Sequence, residues 1–166
     1  MDHNACQWFL VPSVRPHAMV DNRSAESRSA LMSRIRGKDT APELLVRRLL
    51  HALGYRFRLH RRDLPGTPDI VFQSRQKAIF VNGCFWHAHG CRFGRPPKSR
   101  PEFWIPKLER NRSKDVRNRR ALRSAGWGVL TVWQCQARSR GWLEAKMISF
   151  LGPPGKNPID NRPSTR

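Results

Sequence analysis

The chain has 166 residues, 39% of them hydrophobic, which is enough for one domain with a core of its own. Lysine and arginine number 32 against 12 acidic residues, a formal net charge of +20; solubility does not require that much, so a polyanion partner is expected, nucleic acid ahead of an anionic lipid surface. No run is apolar enough to span a membrane, and the apolar patch at residues 8–11 lacks both a basic segment before it and a cleavage site after it; neither a membrane span nor a signal peptide is expected, and the location expected is cytoplasmic.

Residues 1–22 mix proline, histidine and isolated apolar residues without periodicity and read as a loose extension, with Cys6 a lone thiol. The main domain is expected over 23–151, and the glycine- and proline-rich tail at 152–166 reads as disordered. A short amphipathic helix is predicted over 24–36, stopped by Gly37. Thr40-Ala-Pro-Glu43 has a capping-box pattern, so a stronger helix should open there and bury Leu45, Leu49, Ala52 and Leu53 before Gly54 ends it. Residues 55–60 alternate as a strand, and the turn at 64–68 separates it from strands at 69–72 and 78–81. After a basic, proline-rich connection, a long helix is predicted from Pro106 to Ser124, where proline suits the first turn and Gly126 the stop. A strand at 127–133 and a last helix at 142–151 complete a compact α/β domain with a mixed sheet.

The densest chemistry lies in Asn82-Gly-Cys-Phe-Trp-His-Ala-His-Gly-Cys91. Cys84, His89 and Cys91 are soft or borderline ligands close enough in sequence to share one ion, and Cys135, after the strand-like run 129–134, is the obvious fourth donor for a closed structural zinc. Buried thiols and disulfides are the plainer readings; a reducing compartment disfavours the second. His87 is left over, either a surface residue or a proton-transfer group. Asp69 opens a strand directly after a proline turn, and the next strand ends twelve residues later at Val81, so a hairpin would bring the carboxylate near the Cys/His loop. A carboxylate with a backbone carbonyl is a hard oxygen site suited to magnesium, whereas a turn aspartate bonded to its own backbone is the simpler account.

Leu108, Asn111, Asp115 and Leu122 share one helix face. Its two polar members either edge the apolar stripe or reach the Asp69 site through water. Glu43 is fully explained by the helix cap, and the sequence alone prefers that to a role beside Asp69. Phe85, Trp86 and Trp104 stand among basic residues, which suits stacking on bases as well as core packing.

Five stretches occur in a recognisable order and at compatible spacing: Ser33-Arg-Ile-Arg-Gly-Lys-Asp-Thr-Ala-Pro-Glu43, Asp63-Leu-Pro-Gly-Thr-Pro-Asp69, Gly83-Cys-Phe-Trp-His-Ala-His-Gly-Cys91, Glu102-Phe-Trp104 and Val132-Trp-Gln-Cys135. Over about residues 21–150 the chain resembles the very-short-patch repair (Vsr) DNA mismatch endonucleases. The resemblance implies a restriction-endonuclease-like core, with helices flanking a mixed central sheet and a structural zinc. It implies a magnesium-dependent enzyme that nicks double-stranded DNA 5′ to the thymine of a T:G mismatch, initiating repair of deaminated 5-methylcytosine, and acting as a monomer. In that likeness Asp69 and the backbone carbonyl of Val81 hold magnesium, while Glu43, Asn111 and Asp115 hold metal-bound waters. Glu43 joins Asp69 and the general base His87 in the catalytic set. Cys84, His89, Cys91 and Cys135 hold zinc, and Phe85, Trp86 and Trp104 wedge into the duplex. The chain departs from the family pattern at Val81, usually threonine, at Asn82, commonly histidine, and at Gln134, commonly glutamate. The competing class is a zinc-stabilised DNA-binding module without nuclease activity, which leaves Asp69, His87, Asn111 and Asp115 without a task; a basic ribosome-associated protein would bind RNA instead.

Overall fold

In the computed structural model the described residues are 37–154, together with Ser24 and Ser27. The extension at 1–22 with Cys6, the helix predicted over 24–36 apart from those two serines, and the tail from residue 155 onward lie outside the described residues.

Helix α1 (Ala41–Ala52) opens after an extended Thr40, with Pro42 in its first turn. Its start is where the sequence places it, but the capping box does not form: Thr40 makes no side-chain cap bond, and Glu43 is turned inward with 1% exposure. The buried stripe is Glu43, Val46, Leu49 and Leu50, so the helix is rotated from the expected face, leaving Leu45 45% exposed and Ala52 in solvent. The run from Leu44 to Leu53 is apolar on more than one side, so its period alone does not choose which side packs.

The expected strand over 55–60 shrinks to β1 (Arg58–Leu59). Tyr55 leaves the sheet for the core, where its hydroxyl donates to the Gly152 carbonyl at 2.5 Å. Strands β2 (Ile70–Phe72) and β3 (Lys77–Asn82) form an antiparallel hairpin in the register Ile70↔Ile79, turned through the left-handed residue Gln76. Helix α2 (Pro101–Ser124) starts five residues before the predicted Pro106, because Pro101 takes the first position and Pro106 is absorbed inside. Trp104 and Leu108, four apart, anchor this added turn and a half. Strand β4 (Gly128–Trp133) then lies parallel to β3, giving the sheet order β1-β2-β3-β4 and the mixed topology expected. A short helix α3 (Gln134–Ala137), absent from the sequence reading, follows at once. Helix α4 (Arg140–Leu151) begins two residues earlier than predicted and buries Leu143, Met147 and Leu151 at four-residue spacing.

Alternation along the strands feeds two cores. Ile70, Phe72 and Ile79 pack under α1 and α4 with Leu50 and Met147. Val71 and Ala78 point the other way, against Leu122 of α2 and Trp127. The sheet is therefore covered on both faces, and the carboxyl ends of the parallel pair β3 and β4 are left open for a site, beside the start of β2.

Candidate active site

Asp69 immediately precedes β2, and the antiparallel register sets it against the end of β3, where its Oδ2 accepts the Val81 amide at 2.7 Å. That bond crosses the hairpin, so Asp69 does more than close its own turn. Its side chain is 19% exposed. Burial pushes its carboxyl up to about 6; the Val81 amide opposes the shift, Glu43 adds to it, and Arg47 and His87 offset it. A carboxylate held at this disadvantage has a standing reason to bind a cation.

Asp69 lines a cleft of about 740 Å³ with His60, Val81, Asn82, His87, Asn111 and Asp115, and Lys38, Arg62, Lys114 and Arg119 complete a basic lining. Asn82 is 6% exposed, the last residue of β3, paired with Trp133.

Asn111 and Asp115 stand one turn apart on α2, and each grips the loop that follows β3. Asn111 Nδ2 donates to the Trp86 carbonyl at 2.8 Å, and Asp115 Oδ2 lies 2.5 Å from His87 Nδ1. A carboxylate accepts, so Nδ1 carries a proton, and in the neutral ring Nε2 is the nitrogen with the lone pair. These two polar residues are thus paired rather than stranded on the core-facing stripe. Of the expected site, the structure brings Asp69, Val81, His87, Asn111 and Asp115 to one cleft.

Glu43 sits behind Asp69, bonded to Arg47 and 3.1 Å from His60 Nε2. Arg47 and His60 are two residues that sequence reasoning did not single out. The only signal for the first was its i,i+4 spacing from Glu43; for the second there was none beyond a histidine ending an alternating run.

Cys84, His89, Cys91 and Cys135 converge, with one ligand atom from each lying within 4.8 Å of all the others, and none of the three thiols is in a disulfide. Cys135 arrives from α3 rather than from the strand end. Its sulfur is 3.7 Å from His89 Nδ1, and the His89 ring stacks on Trp133 at 4.2 Å between centroids. Ligands about 2.3 Å from one ion are spaced close to this, so the donor set fits a single tetrahedral metal. Burial pushes the Cys84 thiol up to about 12 and raises Cys135, whereas Cys91, against its own burial, is drawn down to about 7 by His89 and the Phe93 backbone; a second and third thiolate beside it call for a cation. Gly94 closes the loop: a Cβ there would fall on the His89 carbonyl.

Phe85, Trp86 and Trp104 form one cluster, with ring centroids 5.0 Å apart for Phe85–Trp86 and 5.1 Å for Phe85–Trp104. Trp104 is 4% exposed and forms the floor; Phe85 and Trp86 are half-buried above it, and Lys107 Nζ stands 5.8 Å from the Trp86 ring centroid.

Fold and cleft together place this chain in a class: a basic α/β domain that gathers a half-buried aspartate and a carboxylate-held histidine at one end of a mixed sheet, next to a Cys₃His set that could hold a metal. The sequence profile of the family described as DNA mismatch endonuclease Vsr matches residues 20–93, which contain Glu43, Asp69, His87 and three of the four cluster ligands. The chain is 56% identical over 135 residues to the type II nicking enzyme V.XorIIP of Xanthomonas oryzae pv. oryzae, covering 81% of this chain and 99% of that protein. It is 40% identical over 131 residues to the DNA mismatch endonuclease Vsr of Escherichia coli, covering 79% and 84%. To the type II nicking enzyme V.NmeAIP of Neisseria meningitidis it is 37% identical over 122 residues, covering 74% and 87%. The chain belongs to the Vsr family of DNA mismatch endonucleases.

Proposed function

We propose that the protein nicks double-stranded DNA 5′ to the thymine of a T:G mismatch, the first step in very-short-patch repair of deaminated 5-methylcytosine. The observation that carries this reading is the His87–Asp115 pair at 2.5 Å in the same basic cleft as the half-buried Asp69, in a chain whose relatives are named nicking enzymes and mismatch endonucleases. Asp69 and the Val81 carbonyl would hold magnesium, a hard cation suited to oxygen donors. When bound there, magnesium supplies charge stabilisation for the scissile phosphate and the departing 3′-oxygen. His87 Nε2 takes the proton of the attacking water, and Asp115 fixes the ring and steadies the imidazolium that results. Asn111 holds the Trp86 carbonyl and so keeps the loop in register, and Glu43, Asn111 and Asp115 order the waters around the cation.

Zinc is the proposed occupant of the Cys₃His set, because four such donors leave no open position. It holds the loop that carries His87, Phe85 and Trp86 and takes no part in bond cleavage. Valine at 81 is compatible with this arrangement, since a backbone carbonyl is the proposed ligand. Phe85 and Trp86 stack beside the mispair, with Trp104 supporting them from below. The core is proposed to be of the restriction-endonuclease kind, on the strength of its mixed sheet and the aspartate just before the start of β2. The protein is proposed to act as a cytoplasmic monomer; no helix among the described residues is long and apolar enough to cross a membrane.

The test incubates the protein with T:G, matched and RNA duplexes, with and without magnesium. Nicking of the T:G duplex alone, 5′ to the thymine and only with magnesium, is the expected result. Binding of DNA with no cleavage under any condition would leave a DNA-binding module, and preference for RNA would remove the repair role.

A further inference from the structure

Asp69 and Glu43 belong to a chain of polar contacts that also contains Asp39, Arg47 and His60, three residues without a part in the proposed reaction. Arg47 Nη1 donates to Asp39 at 2.6 Å, its Nη2 binds Glu43, and the same Nη2 lies 2.7 Å from His60 Nε2. An arginine side chain has donors only, so His60 Nε2 accepts and the ring proton sits on Nδ1. A proton on Nε2 instead would face Glu43 at 3.1 Å but also meet the Arg47 N–H. Arg47 therefore selects the tautomer. Nδ1 lies 3.8 Å from Asp69 Oδ1, on the carboxylate whose other oxygen takes the Val81 amide. The separation exceeds a hydrogen bond, yet an N–H there acts on the carboxylate as a fixed dipole.

The side chains of Arg47 and His60 are only 12% and 15% exposed. Placing a guanidinium and an imidazole between two carboxylates carries a large desolvation penalty, and stability alone is served as well by apolar residues of similar volume. An arrangement of this kind is explained when the orientation of the carboxylates matters.

We infer that Arg47 and His60 are positioning residues: they orient Asp69 and Glu43 for the cation through the relay Asp39–Arg47–His60–Asp69. This rests on the reading of Asp69 as an ion-binding group. It asks nothing of the ring's titration, only of its place and hydrogen-bond direction.

The experiment measures Mn²⁺ binding to the full-length, zinc-loaded protein by electron paramagnetic resonance, and single-turnover nicking of a T:G duplex across a magnesium series. His60→Ala is expected to weaken Mn²⁺ binding and raise the half-saturating magnesium by about tenfold, the usual effect of losing a partner behind a metal ligand. Duplex binding without metal and the thermal midpoint should stay at wild-type values. His60→Gln, whose amide oxygen accepts the same Arg47 hydrogen bond, should recover most of the loss. Arg47→Lys, which keeps the charge without the fork, should behave like His60→Ala. Wild-type Mn²⁺ affinity and magnesium dependence in His60→Ala and Arg47→Lys overturn the inference, as does a loss that follows a lowered thermal midpoint and is not rescued by glutamine. Should the wild-type protein nick no duplex, yet lose Mn²⁺ binding in Asp69→Ala, the functional reading fails alone, and the Mn²⁺ comparison still decides the role of Arg47 and His60.

Discussion

His87 and Asp115 come from a loop and a helix 28 residues apart, and their Nδ1 and Oδ2 atoms meet at 2.5 Å in the cleft that also holds Asp69. The contact fixes which ring nitrogen is free, and with it the direction in which a proton can move. Asp115→Asn should lower the single-turnover nicking rate about a hundredfold, and His87→Ala at least as much, as expected when a general base or its orienting partner is lost. The double variant should be no slower than the worse single one, because the two act as a unit. Duplex binding measured without metal should be unchanged in all three. Additive losses would separate the two residues.

Asp69 ties activity to stability. Its unfolded value is near 3.9 and burial pushes the folded value to about 6, so the folded chain binds the extra proton between them. This contribution to stability is fully present below about pH 4 and is lost as pH rises through 6. At pH 7.5 without divalent metal, Asp69→Asn should therefore be more stable than wild type, by on the order of 2 kcal/mol, and at pH 4 the difference should vanish. Magnesium should raise the thermal midpoint of the wild type at pH 7.5 and not that of the variant. The same variant should show no magnesium-dependent nicking; near wild-type cleavage would remove the proposed cation site.

The Cys₃His cluster predicts a coupled loss. Cys135→Ala should reduce zinc from one per chain to near none and lower the thermal midpoint by roughly 10 °C or more, because metal binding free energy is also folding free energy. Metal analysis and thermal unfolding, each with and without chelator, check this together. Gly94→Ala should show a milder form of the same change, since its Cβ would displace the His89 carbonyl. Well-folded wild-type protein without stoichiometric zinc would contradict the assignment.

Recognition should separate from charge. In the proposed role Phe85 and Trp86 would unstack base steps at a cost of a few kcal/mol, least at a mispair. The basic surface contributes sequence-independent phosphate binding that weakens steeply with salt. Trp86→Ala should thus reduce the preference for T:G over matched duplex and leave the salt slope nearly unchanged, in binding titrations at several salt concentrations. An unchanged preference would leave Trp86 as packing for Trp104 and Phe85.

Legible in the residues alone were the gathering of Cys84, His89, Cys91 and Cys135, the hairpin that places Asp69 near Val81, the shared face of Asn111 and Asp115, and a charge that calls for a polyanion partner. Each rests on something local: ligand types with few other uses, a turn of fixed chemistry, a helical period, or a sum of charges. What the inward-facing polar groups do depends instead on how the elements pack. Glu43 fits a helix cap by spacing, yet the packed face of α1 turns it inward to Arg47 and His60, because the apolar run beside it suits more than one rotation. Asp115 was legible as a polar residue on a core-facing stripe but not as the partner of His87, which depends on how a loop folds back across a helix. Trp104 looked like its aromatic neighbours and became their floor once α2 began at Pro101. A hydrogen bond between distant elements leaves no periodicity in either of them, so such partners become readable only once the elements are packed together.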